Sequence, residues 1–190
     1  MINPILREFP HSFETERLTI RGPLPGDGPE LNAAVLESWE SLRQWMPWAG
    51  GERPTIEESE ANVRQAHARF LTREDLRLSL FLKGTNTMVG SSGLHRMNWA
   101  IPSFEIGYWV RKQFEGQGYI TEAVAGITDF AIREFGARRI EIRCDSLNER
   151  SAAIPRRLGF NLEGVLRNED RHHLTGELRD TMIFAKILDG

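Results

Sequence analysis

One cysteine, two tyrosines and no long apolar run mark this chain first by what it leaves out. With Cys144 alone no intramolecular disulfide framework can form, which suits a reducing cytoplasm. No stretch approaches the ~20 apolar residues of a membrane-spanning helix. Met1-Ile2-Asn3-Pro4 opens no signal peptide, so a cytoplasmic protein without membrane contact is expected. A basic surplus is missing too: 24 Lys and Arg against 27 Asp and Glu leave a formal charge of −3, no field to attract nucleic acid. There is no internal repeat, low-complexity tract or Pro/Ser-rich linker, so residues 1–190 read as a single domain long enough to bury a full core. His172-His173 has no further ligand at useful spacing, and no metal is expected.

What is present has an α/β order. Residues 18–21, 76–83, 88–97, 104–110, 138–144, 160–167 and 177–188 carry strand patterns. Helices are expected over 29–39, 41–48, 55–72, 119–135 and 148–158. Thr55-Ile56-Glu57-Glu58 has the form of a capping box. Ile120, Ala123, Val124, Ile127, Ala131 and Phe135 fall on one helical face and predict the side packed on the sheet. Pro155 cannot donate to the carbonyl of Ser151, which predicts a kink and a freed carbonyl for water or ligand.

The most informative segment joins a strand to a helix through Gln113-Phe114-Glu115-Gly116-Gln117-Gly118-Tyr119-Ile120-Thr121. The first turn of a helix offers unpaired N–H groups at the positive end of its dipole. Gly116 and Gly118 tolerate positive φ and put no Cβ between those amides and an anion. A phosphate cradle is the reading, with a plain strand-to-helix turn as the alternative. There is no G-x-x-x-x-G-K-[ST] loop, and the third glycine of a dinucleotide fingerprint is missing.

Gln113-x-x-Gly116-x-Gly118 resembles the Q/R-x-x-G-x-G/A signature of the GNAT superfamily of N-acetyltransferases. The likeness runs over about residues 13–187 in family order: Glu14 to Arg21, Glu105 to Val110, Gly118 to Ala123, Asn148 to Ser151, Arg157 to Phe160 and Glu163 to Arg167. The subgroup it most resembles is the ribosomal-protein N-terminal alanine/serine acetyltransferases. The resemblance implies an α/β (α+β) fold with a mixed, mostly antiparallel central sheet flanked by helices. It implies acetyl-CoA as cosubstrate, and direct attack by a primary amine with no covalent enzyme intermediate. A protein N-terminus is the expected acceptor. The alternatives are a small amine (an antibiotic, polyamine or amino-acid derivative) or a non-catalytic acyl-CoA-binding module. A homodimer is expected by likeness, although no dimer seam shows in the sequence.

The same resemblance distributes roles. Amides of Glu115, Gly116, Gln117, Gly118, Tyr119, Ile120 and Thr121 would hold the diphosphate, and Tyr108, Trp109 and Val110 the pantetheine arm. Asn148 reads as a helix N-cap, as a pantetheine ligand, or as both. Ser151 matches the general acid toward the thiolate, or is an ordinary helix serine. For the base, Glu105 stands on the central strand, with an ion-pair role as the alternative. Asp170, beside Glu169, matches the subgroup's acidic position, in what otherwise reads as a charged hairpin tip over 168–176. Trp45 and Trp48 would wall the acceptor site or belong to the core, as would Trp99 and Trp109. His95 reads as a relay beside the acceptor or as a half-buried structural histidine. Arg111 and Lys112 are a solvated pair or a phosphate contact. Cys144, without an evident base, reads as a small core residue.

Overall fold

The computed structural model describes residues 3–188. Strands β1 (Ser12–Glu14) and β2 (Leu18–Arg21) lead into helices α1 (Gly28–Glu37), α2 (Trp39–Trp45) and α3 (Ile56–Thr72). An antiparallel run follows: β3 (Leu76–Leu82), β4 (Met88–Asn98) and β5 (Ser103–Val110). Then come α4 (Tyr119–Phe135), β6 (Arg139–Asp145), α5 (Glu149–Arg157) and the hairpin β7 (Asn161–Arg171) and β8 (Leu178–Ile187). Together the strands make one eight-stranded sheet in the order β1-β2-β3-β4-β5-β6-β8-β7. Every neighbouring pair is antiparallel except β5 and β6, because α4 carries the chain back across the sheet between them.

Side-chain alternation divides the sheet into two unlike faces. Leu76, Leu78, Leu80, Leu94, Phe104 and Ile106 point to one side and bury against α4. The six apolar residues of the α4 stripe are all buried there, as the helical spacing predicts. Ile127 is 0% exposed, a burial of about 1.5–3 kcal/mol for such a side chain. The opposite face of β3–β5 is polar and lies beneath α1 and α3. A second, smaller core there joins Leu31, Val35, Trp39, Val63, Phe81 and Met88.

Helix α3 begins as its sequence signal says: Thr55 Oγ1 accepts the Glu58 amide and the Glu58 carboxylate accepts the Thr55 amide. Other boundaries differ. The helix expected over 29–39 ends at Glu37, where Ser38 turns the chain into α2, and its hydroxyl bonds back to the Ala34 carbonyl. Helix α2 stops at Trp45, and Pro47–Ala49 forms a separate 3-10 turn.

The expected loop 168–176 is shorter than predicted. β7 bulges at Asn168 (φ 53), whose amide donates to Asp180, and resumes pairing to Arg171. α5 runs through Pro155 to Arg157, and the Ser151 carbonyl that Pro155 leaves without a donor has a side-chain partner. The Tyr108 hydroxyl donates to it at 2.9 Å.

Candidate active site

The turn after β5 is pinned from one side by α1. Arg111 pairs with Glu30 and Glu37, Lys112 N–H donates to Ser38 Oγ, and Gln113 N–H donates to Glu37. Arg111 is thus neither solvated nor free for phosphate; it fastens the strand end. A 3-10 turn, Lys112–Phe114, follows, and Gly116 (φ 74) and Gly118 (φ 82) then adopt left-handed backbone. No side chain caps α4. Among the described residues the amides of 116–121 have no hydrogen-bond partner, so six consecutive donors remain at a helix N-terminus.

Glu115 is the correction to this cradle. Its amide closes the 3-10 turn onto the Lys112 carbonyl at 3.2 Å, and its carboxylate holds Lys112 and Arg150. The donor run therefore starts one residue later than expected.

Cations from distant segments surround these amides. Arg17 bonds Glu122 at 2.6 Å and the Gln117 carbonyl at 3.0 Å, and its guanidinium lies over the Tyr119 ring at 4.2 Å. Arg150 stands on Glu115, and Arg157 donates to Thr121 Oγ1 at 3.3 Å. Burial alone would raise the Glu122 carboxyl. Bonds from Thr15, the Arg17 amide and the Arg17 guanidinium outweigh burial and hold it below its usual range.

Beside the cradle the sheet opens. β5 and β6 pair only at Ser103–Arg139, Phe104–Ile140 and Glu105–Glu141; beyond Glu141, β6 keeps only its pairing with β8. Arg111 N–H donates to Val89 on β4, so by antiparallel alternation the Trp109 amide also faces β4. The Tyr108 and Val110 amides face the gap. Trp109 accordingly drops out as a backbone donor to an arm lying there.

At the same opening Tyr108, Cys144 and Ser151 meet. Asn148 Oδ1 caps α5 by accepting the Ser151 amide at 3.0 Å, and Ser151 Oγ donates to the Tyr108 hydroxyl at 3.2 Å. Burial pushes the Tyr108 phenol far above its usual value, and the Ser151 bond offsets this only in part. Burial also raises the Cys144 thiol, to about 11, with Ser151 and Arg156 opposing. Both groups are neutral at physiological pH. Cys144 is a free, buried strand residue.

On the polar face of the sheet lies a cavity of about 820 Å³, roofed by α1, α3 and the segment between α2 and α3. Its floor follows from strand register. Arg77, Gly93 and Gly107 form one row across β3, β4 and β5, and Ser79, Ser91 and Trp109 the next. The His95 ring leans over the two glycines. A Cβ at Gly93 would lie 3.0 Å from His95 Cε1, and one at Gly107 3.6 Å from Nε2. Asp75 takes His95 Nδ1 at 2.7 Å, which fixes the tautomer and leaves Nε2 as an acceptor. Sequence reasoning missed Asp75, Arg77 and Gly93, which carry no local motif.

Of the residues expected around the acceptor, His95, Trp48 and Trp109 line this cavity, and the two tryptophans sit 6.4 Å apart. Trp45 does not: it faces Arg179 of β8 at 5.6 Å, where the hairpin tip docks through His172 and His173 on the carbonyls of Gln44 and Arg43. Trp99 packs on Phe104 and Phe135 in the main core. Glu105 stands opposite His95 on the sheet, 3.6 Å from Arg96, outside the cavity lining. Asp170 is exposed on β7 and accepts the Arg171 amide, while Glu169 is paired with Arg143. The strand continues through both, which carries them away from the floor.

Comparison with known proteins agrees with this geometry. Residues 17–161 match the acetyltransferase (GNAT) domain model. The chain is 29% identical over 172 residues to the putative ribosomal N-acetyltransferase YdaF of Bacillus subtilis (strain 168), covering 90% of this chain and 92% of that one. Among solved structures it is similar to RimL, the ribosomal L7/L12 alpha-N-protein acetyltransferase in complex with coenzyme A. That match has a TM-score of 0.83 and 25% identity, and covers 92% of this chain and 96% of RimL. It is also similar to the microcin C7 self-immunity acetyltransferase MccE, in complex with acetyl-CoA and AMP, with a TM-score of 0.81, 25% identity and 92% and 94% coverage. A matched model spanning most of the chain, on a fold with an open central strand and a bare helix N-terminus, places this protein in the GNAT family of acetyltransferases.

Proposed function

We propose that this N-acetyltransferase acetylates the α-amine of a protein N-terminus. The observation that carries this is the cavity itself: an open space of about 820 Å³ against the central strand, floored by strand backbone and walled by Trp48 and Trp109. An extended chain end fits such a trough. A compact polycation would need several carboxylates, whereas the floor carries none and, of the two on the walls, Glu58 is held in the Thr55 capping box and Glu52 is exposed. The relatives named for ribosomal proteins support the same reading.

The amides of 116–121 and the cations around them fit a diphosphate, and the Tyr108 and Val110 amides fit an amide-bearing arm. Acetyl-CoA, when bound, supplies a thioester carbonyl carbon. His95 Nε2 takes a proton from the attacking amine, and Asp75 stabilises the imidazolium formed. The amine nitrogen bonds to that carbon, the carbon–sulfur bond breaks with its electron pair going to sulfur, and one proton finally resides on the thiol. Ser151 and Tyr108, hydrogen-bonded to each other, stand at the opening to donate there. An α-amine, with a pKa of about 8, asks little of a base, which suits an imidazole.

Steady-state assays with acetyl-CoA and a panel of peptides and small amines test this. His95→Gln should lower kcat/KM by about 10²–10⁴, and Glu105→Gln by only a few-fold. Faster turnover of polyamines than of peptides would install the small-amine reading. Binding of acetyl-CoA without turnover of any amine would leave an acyl-CoA-binding module.

Two smaller proposals accompany this. Residues 1–190 act as one unit, since α1–α3 share a core with β3–β4; one cooperative unfolding transition checks it. The exposed Leu162, Val165, Leu166 and Leu178 of the edge hairpin suit a cytoplasmic homodimer, which sedimentation would detect.

A further inference from the structure

Most charged groups that line the acceptor cavity are spoken for, apart from Glu52, which is exposed in the segment before α3 and has no ion pair among the described residues. Arg53 pairs with Glu40, Glu58 is held in the Thr55 capping box, and His95 is held by Asp75. Arg77 is different. It rises from the floor, and among the described residues its only bond is to Asn62 Oδ1 at 2.5 Å. Two carboxylates, Asp75 and Asp27, act on it through space, but neither bonds it: Asp75 bonds His95, and Asp27 takes both terminal nitrogens of Arg21 at 2.7 Å. Burial lowers the Arg77 pKa, yet a guanidinium stays charged. A partly desolvated cation with donors to spare is stabilised further by an anion that bonds it directly.

The groups beside it are donors too. The hydroxyl of Ser79, two residues along the same strand face, has no hydrogen-bond partner among the described residues. The Ser59 oxygen accepts from Asn32, which leaves its own proton free to donate. Asn62, on the same helix face one turn from Ser59, keeps its amide N–H groups. These side chains converge on the cavity with Arg77 and bring no negative charge to it.

We propose that Arg77, with Ser59, Asn62 and Ser79, forms an oxyanion subsite for a carboxylate carried by the acceptor. The inference rests on the peptide reading above. Arg77 faces Gly93 directly, and His95 lies two residues further along β4, so the two positions stand about 7–8 Å apart across the ladder. Extended chain advances about 3.3–3.6 Å per residue. With its α-amine at His95 Nε2, a peptide brings its second or third side chain to Arg77. The selected acceptors are therefore N-termini with Asp or Glu at position two or three.

The test uses peptides alike except for Glu, Gln or Lys at positions two and three, on the wild-type protein and Arg77→Gln. The wild type should favour Glu over Gln by about ten-fold or more in kcat/KM, mostly through KM, with Lys poorest. Arg77→Gln should erase that order, and Arg77→Glu should invert it toward Lys. Equal rates for Glu and Gln peptides on the wild type, or a preference that survives in Arg77→Gln, would overturn the subsite. Calorimetric binding of the same peptides to the coenzyme A complex gives a second readout that needs no turnover. A small amino carboxylate that outruns every peptide, and loses its advantage in Arg77→Gln, would uphold the anion subsite while refuting the protein N-terminus. Unchanged melting of both variants separates these results from misfolding.

Discussion

Replacing Gly116 with Ala separates cradle from turn. Gly116 sits at φ 74, and a Cβ there would meet nothing within 4 Å, so the whole effect of the change is backbone strain. Left-handed backbone costs an L-residue about 1–2 kcal/mol. If the loop keeps its shape, the melting temperature falls by about 2–8 °C at this chain length. If it relaxes instead, the amides of 116 and 117 turn away from the phosphate position. Each lost charge-assisted bond is worth about 1.5–3 kcal/mol, or roughly 10–150-fold in Kd. Calorimetry with acetyl-CoA reads the second effect and thermal denaturation the first. Turnover with S-acetylpantetheine, which lacks the diphosphate, should change little. Gly51→Ala is the control, because it has open space and no left-handed φ. Full acetyl-CoA affinity in a Gly116→Ala protein of unchanged melting temperature, whose loop has therefore relaxed, would refute the cradle. So would an equal loss with both donors.

Three further outcomes follow from the contacts. Tyr108→Phe removes the donor to the Ser151 carbonyl that Pro155 leaves open, and should cost about 1–3 kcal/mol in denaturant unfolding; Ser151→Ala keeps that bond and should spare stability while lowering kcat. Glu122 titrates below its usual value in the folded chain, so its stabilisation is complete above the unfolded carboxyl range and lost as pH falls through the folded value; Glu122→Gln should flatten unfolding free energy below about pH 4.5, and an unchanged acid limb would sink the assignment. The Cys144 thiol, raised to about 11, should react with iodoacetamide at pH 8 at least about a hundred-fold more slowly than an unperturbed thiol, and a free-cysteine rate would show the site to be open.

The parts of this protein legible in its sequence are those whose physics is local. The capping box at Thr55 and Glu58, the buried stripe of α4 and the two left-handed glycines each depend on residues within a turn or two of one another. Dihedral preference and helical period speak directly there. The bond from Asn148 to the Ser151 amide is equally short in range.

The acceptor cavity is different in kind. Asp75 and His95 are 20 residues apart, and Arg77 shares the cavity floor with His95 only because β3 and β4 pair in one register; a slip of one residue in β3 would turn Arg77 to the other face. Arg17 reaches Gln117 and Glu122 across 100 and 105 residues, an approach that composition cannot reveal. Register sets Glu105 beside His95 on the same sheet face, but Glu105 lies near Arg96 outside the cavity lining, and helix α2 places Trp45 against Arg179 of β8. Sequence alone determined the backbone that can hold a phosphate. Pairing between distant strands decided which side chains meet the amine, because a side chain's face is set by its partner strand and not by its neighbours in the chain.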